Sequence, residues 1–318
     1  MLFLRNRKRS KSQADALLQQ LSRHGADAFE VLGTLLANSL VVHADETGWS
    51  INRVGAFLSE KARVLFFGVP KDAQTRKEIL DNETCAGLLF SADAAVYANF
   101  TNAQKCGAHR LRKAIQLTLP DPGQAPYREF ADELLAIFRE ANRMQRDRRL
   151  SDEGRERKVK ELIRRLLRRC GPVREQEAES DGLDHDFYWL AEELVRLALK
   201  DELFTFVLSA PVEQPNGARP PLGGTNNEAE RTLRNPAQSR VTGRTSQTPA
   251  GARRTSILTS VLESLRLVLP SYPLPSVIEA ITRWQETGRS CFRALLEKLP
   301  LAERDHSVRE RVIPIPSG

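Results

Sequence analysis

Strand-length apolar runs are confined to the chain before residue 120, and that boundary divides it. Before residue 120, hydrophobic residues gather in short runs: Leu40-Val-Val-His-Ala-Asp45, Trp49–Phe57, Val64–Val69 and Gly87-Leu-Leu-Phe-Ser-Ala-Asp93. Runs of this length read as buried strands. Ser59-Glu-Lys61 separates two of them. Residues 12–38, Asp72–Leu80, Ala94–Phe100 and Ala108–Leu119 space their apolar side chains as helices do. Pro120-Asp-Pro-Gly-Gln-Ala-Pro126 then ends the alternation. From Tyr127 to about Lys200 the spacing is helical throughout, with Cys170-Gly-Pro172 expected to separate one helix from the next. Trp189 is expected in the core of this block. A loop with four prolines and three glycines spans Ala210–Gly224. Helices are expected from Thr225, over Thr255–Leu269 and over Pro275–Leu299, before a loose tail at Ala302–Gly318. Strands alternating with helices imply a mixed α/β domain, here split by a helical insertion. The expected divisions are 1–38 (helical segment), 39–120 (opening stretch of the α/β domain), 121–209 (helical insertion), 210–270 (closing stretch of the α/β domain) and 271–318 (C-terminal helix and tail).

Composition removes several alternatives. Of 318 residues, 28% are charged and 41% apolar, the balance of a globular chain. Four scattered cysteines (Cys85, Cys106, Cys170, Cys291) do not make a disulfide scaffold and point to a reducing cytosol. No apolar run approaches the roughly 18 residues of a membrane helix. At the start, basic residues follow a very short apolar stretch, the reverse of a secretory signal. The expectation is a cytoplasmic protein with no membrane partner.

Positive charge is clustered. The chain has 48 Lys and Arg against 41 Asp and Glu. Residues 139–169 alone hold 13 basic against six acidic residues. Arg231 to Leu262 has six arginines and no acid, and Arg5, Arg7, Lys8, Arg9 and Lys11 crowd the N-terminus. Such clusters on a near-balanced remainder suit a polyanion. For 139–169, interleaved acids make a solvated, ion-paired helix face an equal reading. The acid-free run favours phosphate.

Two apolar runs end on carboxylates, Asp45 and Asp93. If their strands are neighbours, both reach one sheet edge, where a divalent cation would relieve their repulsion. Thr225 with Glu228 fits a capping box at a helix start, which leaves Glu230 free as a ligand. Cys106-Gly-Ala-His109 is half a zinc site. A full site needs two more ligands, and no second pair of suitable spacing follows. The pair is therefore read as structural or as supporting a site, with zinc not expected.

Taken in order, His43-Ala-Asp45-Glu-Thr47, Ser91-Ala-Asp93-Ala-Ala-Val-Tyr97, Cys106-Gly-Ala-His109-Arg-Leu-Arg-Lys113 and Asn226-Asn-Glu-Ala-Glu230-Arg-Thr-Leu-Arg234 resemble a DDE transposase of the bacterial insertion-sequence family sixty-six. The resemblance covers about residues 39–269. It implies an RNase-H-like mixed sheet in strand order 3-2-1-4-5, with Asp45 on strand one, Asp93 after strand four and Glu230 on a helix beyond an α-helical insertion. It implies catalysis of DNA strand cleavage and transfer by two magnesium or manganese ions on Asp45, Asp93 and Glu230. It also implies double-stranded DNA (element ends and target), a homo-oligomer on DNA, accessory proteins of the element and a nucleoid-associated location. His109, Arg112, Lys113, Arg231, Arg234, Arg240 and Arg244 are the expected DNA contacts. The alternatives are a truncated, non-catalytic DNA-binding remnant, or another RNase-H-like nuclease.

Overall fold

A computed structural model describes residues 10–70, 80, 87–92, 97, 100–175 and 183–299. Asp93, the N-terminal basic residues Arg5 to Arg9, most of Asp72–Leu80 and Ala94–Phe100, and the tail from residue 300 lie outside the described residues. Helix α1 (Lys11–Ala37) leads into β1 (Val41–Gly48), β2 (Arg53–Ser59), β3 (Arg63–Val69), β4 (Leu88–Ser91) and β5 (Ala103–Lys105). Then follow α2 (Gly107–Thr118), α3 (Ala125–Arg146), α4 (Asp152–Arg174), α5 (Leu183–Leu199), the short α6 (Thr205–Leu208), α7 (Asn227–Val241), α8 (Pro249–Val268), α9 (Leu274–Thr287) and α10 (Cys291–Leu296). The five strands form a mixed open sheet in the order β3-β2-β1-β4-β5. β1 and β5 both run parallel to β4, and β2 and β3 are antiparallel. None of the helices described is long and apolar enough to cross a membrane.

Local chemistry explains where elements depart from expectation. β1 runs on past Asp45 to Gly48, so Asp45 stands inside the strand and not at its end. Trp49–Asn52 is a turn, closed by Trp49 N–H donating to Asn52 O at 3.0 Å, with Asn52 at φ 56°. Asparagine tolerates that left-handed conformation. The apolar runs do not locate β5 because it is polar: Gln104 and Lys105 are buried. Gln104 is satisfied by the carbonyls of Lys105 and Leu203, both at 2.8 Å, and by the Phe206 N–H at 3.2 Å. Pro172 does not break α4. It falls in the last turn, where it removes a single backbone donor, and Cys170 and Val173 on either side of it are buried. The last expected helix is two, divided by Gly288 at φ 67°.

The described residues form two compact units. One falls within Met1–Asn38, Glu46–Asp81 and Leu233–Gly318, the other within Ser39–Asp45 and Asn82–Thr232. In the second, Val41, Leu88 and Phe90 of the sheet join one buried cluster with Phe130, Leu134, Ile137, Leu162, Leu166, Phe187, Leu190 and Leu194 of α3, α4 and α5. Trp189 is not in that core: it is 57% exposed. Phe187, Leu190, Ala191 and Leu194 set the buried face of α5, and a residue two positions after Phe187 points the other way.

In the first unit, α8 lies along β3 and covers its outer edge. Ser256, Ser260 and Ser264 recur every four residues on α8, and their Oγ atoms accept the N–H groups of Phe67, Leu65 and Arg63, each at 2.9 Å. Ser260 and Ser264 donate back to Leu65 O (3.3 Å) and Arg63 O (3.0 Å). Four residues of helix rise about 6 Å and two of strand about 6.7 Å, so the two repeats stay in step for three rungs. An edge strand left open would present those donors to other chains. Ser260→Ala is expected to lower stability by about 1–3 kcal/mol, because it strands the buried Leu65 N–H. Urea denaturation checks this, and a loss below about 0.5 kcal/mol would show the ladder to be incidental.

Candidate metal centre

Glu230 is positioned by the residue that precedes its helix. Asn226 is fully buried. Its carbonyl accepts the Glu230 N–H at 3.2 Å, which places Asn226 in the capping position expected of Thr225. Its Nδ2 donates to Ala44 O on β1 at 2.9 Å, and its Oδ1 lies 3.3 Å from His43 Nδ1. A carbonyl can only accept, so the amide is oriented, and Oδ1 receives the His43 Nδ1 proton. The His43 ring stacks on Phe90 at 4.4 Å. The Asn226 N–H donates to Cys106 Sγ at 3.2 Å. One side chain and its backbone thus tie the start of α7 to β1, beside Asp45, and to the junction of β5 with α2.

Two glycines allow the chain segments to approach. Gly107 N–H donates to Gly224 O at 2.8 Å. A Cβ on Gly224 would come within 2.6 Å of the Phe206 ring, and one on Gly107 within 3.1 Å of Phe138 and of Gly224 O. Gly224 cannot take a Cβ unless Phe206 shifts, and at Gly107 a Cβ would be tight.

The result is a cluster. Cys106, His109 and Glu230 offer ligand atoms that all lie within 4.8 Å of one another. His109 Nδ1 and Glu230 Oε1 are 3.5 Å apart, and among the described residues neither buried atom has a hydrogen-bond partner. Arg112 Nη2 is 3.5 Å from Glu230 Oε2. Burial lowers the His109 pKa below its ordinary 6.5. The Glu230 carboxylate pulls it up, and Arg112, Arg110 and Lys113 push it further down. The imidazole is therefore neutral at neutral pH, the form that binds metals. Sequence spacing found no further ligand for the Cys106–His109 pair. The fold brings it a third, Glu230, from far along the chain.

The other expected site residues are distributed as follows. Asp45 is half-buried on β1, while Asp93 lies outside the described residues. His109, Arg112 and Lys113 share α2, but Lys113 Nζ is paired with Glu193 at 2.8 Å. Arg231 and Arg234 are exposed on α7, as is Arg244 beyond it. Arg240, also exposed, lays its guanidinium against Gly48. Within the acid-free run, Arg254 pairs with Asp15 at 2.7 Å. In 139–169, Arg165 bridges Glu133 and Glu140, Arg169 meets Glu129 at 3.2 Å, and Arg155 donates to Met144 O and Asp147 O at the end of α3. Those three cations serve the α3–α4 pairing. Sequence reading missed Lys105, which is 1% exposed on β5 with Nζ 3.3 Å from Ser91 Oγ. Its polar run hid the strand that buries it. No protein-family model, curated protein or solved structure matches this chain.

Asn226→Ala is expected to destabilise the protein by about 1–3 kcal/mol, since Ala44 O and His43 Nδ1 both lose a buried partner. Chemical denaturation measures this, and an unchanged midpoint contradicts it. In chelator-treated protein the His109 ring is expected to titrate below 6.5 by NMR, lower still in Glu230→Gln and higher in Arg112→Ala. A midpoint above 6.5 in the unaltered chain contradicts burial as the dominant cause.

Proposed function

We propose that this chain is a DDE transposase similar to those of insertion-sequence family sixty-six, with an RNase-H-like fold, cleaving DNA at element ends and joining them to target DNA. The observation that carries the reading is the Asn226 tie. It sets the first turn of the Glu230 helix against β1 one residue before Asp45. The strand order β3-β2-β1-β4-β5 agrees with what the resemblance implies, and β4 ends at Ser91, two residues before Asp93 in the sequence.

The donor set of the proposed site is Asp45, Asp93 and Glu230. Carboxylate oxygens suit magnesium or manganese, and Glu230 Oε1 is a buried oxygen lacking a hydrogen-bond donor, as a cation ligand would be. Two such ions, when bound, activate an attacking water or DNA 3′-hydroxyl and stabilise the departing oxygen. The chain's own residues do the positioning. Asp45 is held on the central strand of the sheet. Asn226 fixes the helix that presents Glu230, and Arg112 steadies its second oxygen. Arg231 and Arg234, exposed on that same helix, offer planar guanidinium groups to phosphates, and such contacts make binding sensitive to salt.

Magnesium-dependent nicking of the element's own terminal repeats is expected from the unaltered protein. It should fall by about a thousandfold or more in each of Asp45→Ala, Asp93→Ala and Glu230→Gln, because the metal-holding set acts as a unit. Cleavage retained in any one of them refutes the assignment. Salt-sensitive DNA binding without cleavage by the unaltered chain would select the non-catalytic remnant instead.

A further inference from the structure

We infer that Cys106, His109 and Glu230 form a site for one thiophilic divalent transition metal, zinc by ligand chemistry, which shares only Glu230 with the carboxylate set proposed above. Two orphaned atoms are its strongest sign. An imidazole nitrogen and a carboxylate oxygen, both buried, face each other at 3.5 Å with no hydrogen bond between them or to any other described residue. Two buried polar atoms in that state cost free energy unless a third body meets both. Zinc bound to nitrogen and oxygen at about 2.0–2.2 Å on tetrahedral corners separates those ligands by about 3.3–3.5 Å. The observed gap is the edge of that tetrahedron.

The third corner is Cys106 Sγ. The three ligand atoms fall within 4.8 Å of one another, so small side-chain rotations bring all of them onto one ion. Cys106 directly precedes α2 and His109 lies in its first turn, which directs the Cys-x-x-His pair to one side. The Gly107–Gly224 hydrogen bond and the Asn226 N–H on Cys106 Sγ hold the Glu230 helix across from them. That N–H also steadies a thiolate, and Arg112 orients the carboxylate through its other oxygen, the supporting contacts on which metal sites depend. All these residues belong to the same compact unit.

Sulfur selects the metal. A thiolate with an imidazole and a carboxylate prefers zinc or cobalt and disfavours magnesium, which demands oxygen. Three protein ligands leave one corner of the tetrahedron for water or a substrate atom, the pattern of reactive zinc sites. On binding, the Cys106 thiol loses its proton to the buffer, the sulfur–metal bond forms, and no change of oxidation state is involved.

The proposal does not rest on the transposase reading. Its test is cobalt titration of the full, chelator-treated chain, followed by absorption spectroscopy. One Co2+ per chain is expected, with a thiolate-to-cobalt charge-transfer band and the visible bands of a tetrahedral site. Zinc should displace it, and a large excess of magnesium should not. Cys106→Ser should abolish the charge-transfer band. His109→Gln and Glu230→Gln should weaken binding by about tenfold or more. Cys170→Ser should keep the band, since Cys170 is buried on α4 in the helical core and is not part of the cluster. Circular dichroism establishes that each variant is folded, and Glu230→Gln keeps the test decisive if Cys106→Ser unfolds. Binding without the charge-transfer band, binding unchanged in Glu230→Gln or Cys106→Ser, or displacement by magnesium overturns the assignment. Loss of DNA cleavage with cobalt binding intact would count against the transposase reading alone.

Discussion

Asn226 is the constraint on which the arrangement around Glu230 depends. A buried amide has two donors and two acceptor positions to satisfy, and its surroundings admit only one orientation. Its Nδ2 donates to Ala44 O on β1, while Oδ1 takes the proton of a His43 ring that stacks on Phe90. Its backbone serves two further elements, through the N–H to Cys106 Sγ and through the carbonyl to the Glu230 N–H. Three segments distant in sequence, β1, the β5–α2 junction and the start of α7, therefore meet at a residue with no accessible surface. Polar networks of this kind specify one packing, because any slip of α7 along β1 strands several buried groups at once.

The other unit solves a different problem with related chemistry. β3 closes one side of the sheet, and its outward N–H groups need partners. A fully apolar helix would bury them unsatisfied. Serines at 256, 260 and 264 are small enough for α8 to approach the strand closely, and each provides an acceptor at the level of an unpaired donor. The neighbouring Ile257, Val261 and Leu265 supply the apolar burial that serine cannot. Cohesion comes from the hydrophobic side chains and register from the hydroxyls.

Much of the fold was legible because it is written in hydrophobic period. β1, β3, β4, α1 and α2 and the helical block after Pro126 all follow from apolar spacing, and the helix containing Glu230 from its capping signature. Elements held by polar groups were not legible. β5 consists of Ala103, Gln104 and Lys105, and its burial is compensated by hydrogen bonds from residues a hundred positions away. Pro172 misled because a helix breaker near a C-terminus removes one bond and no more. Trp189 misled because size and apolarity favour burial in general, whereas the face of α5 is chosen by Phe187, Leu190 and Leu194. At the candidate site, Glu230, Cys106 and His109 stood out one by one from their motifs. Their meeting did not, since it depends on the Asn226 tie and on the close glycine approach of residues 107 and 224.

Glu230 is where the two proposals meet, and their demands differ in kind. The magnesium pair asks it to join other carboxylates, a hard, anionic set that tolerates water. The zinc site asks it to join a thiolate and a neutral imidazole in a space where its Oε1 is already dry. In the present arrangement the carboxylate turns one oxygen to His109 and the other to Arg112, so both of its faces are directed by α2. The backbone that bears it is held by Asn226, whose carbonyl accepts the Glu230 N–H, so the side chain and not the helix is the part free to turn. On both proposals the helix is the fixed part and the carboxylate the part that turns, so they differ only in which cation and which accompanying ligands Glu230 meets.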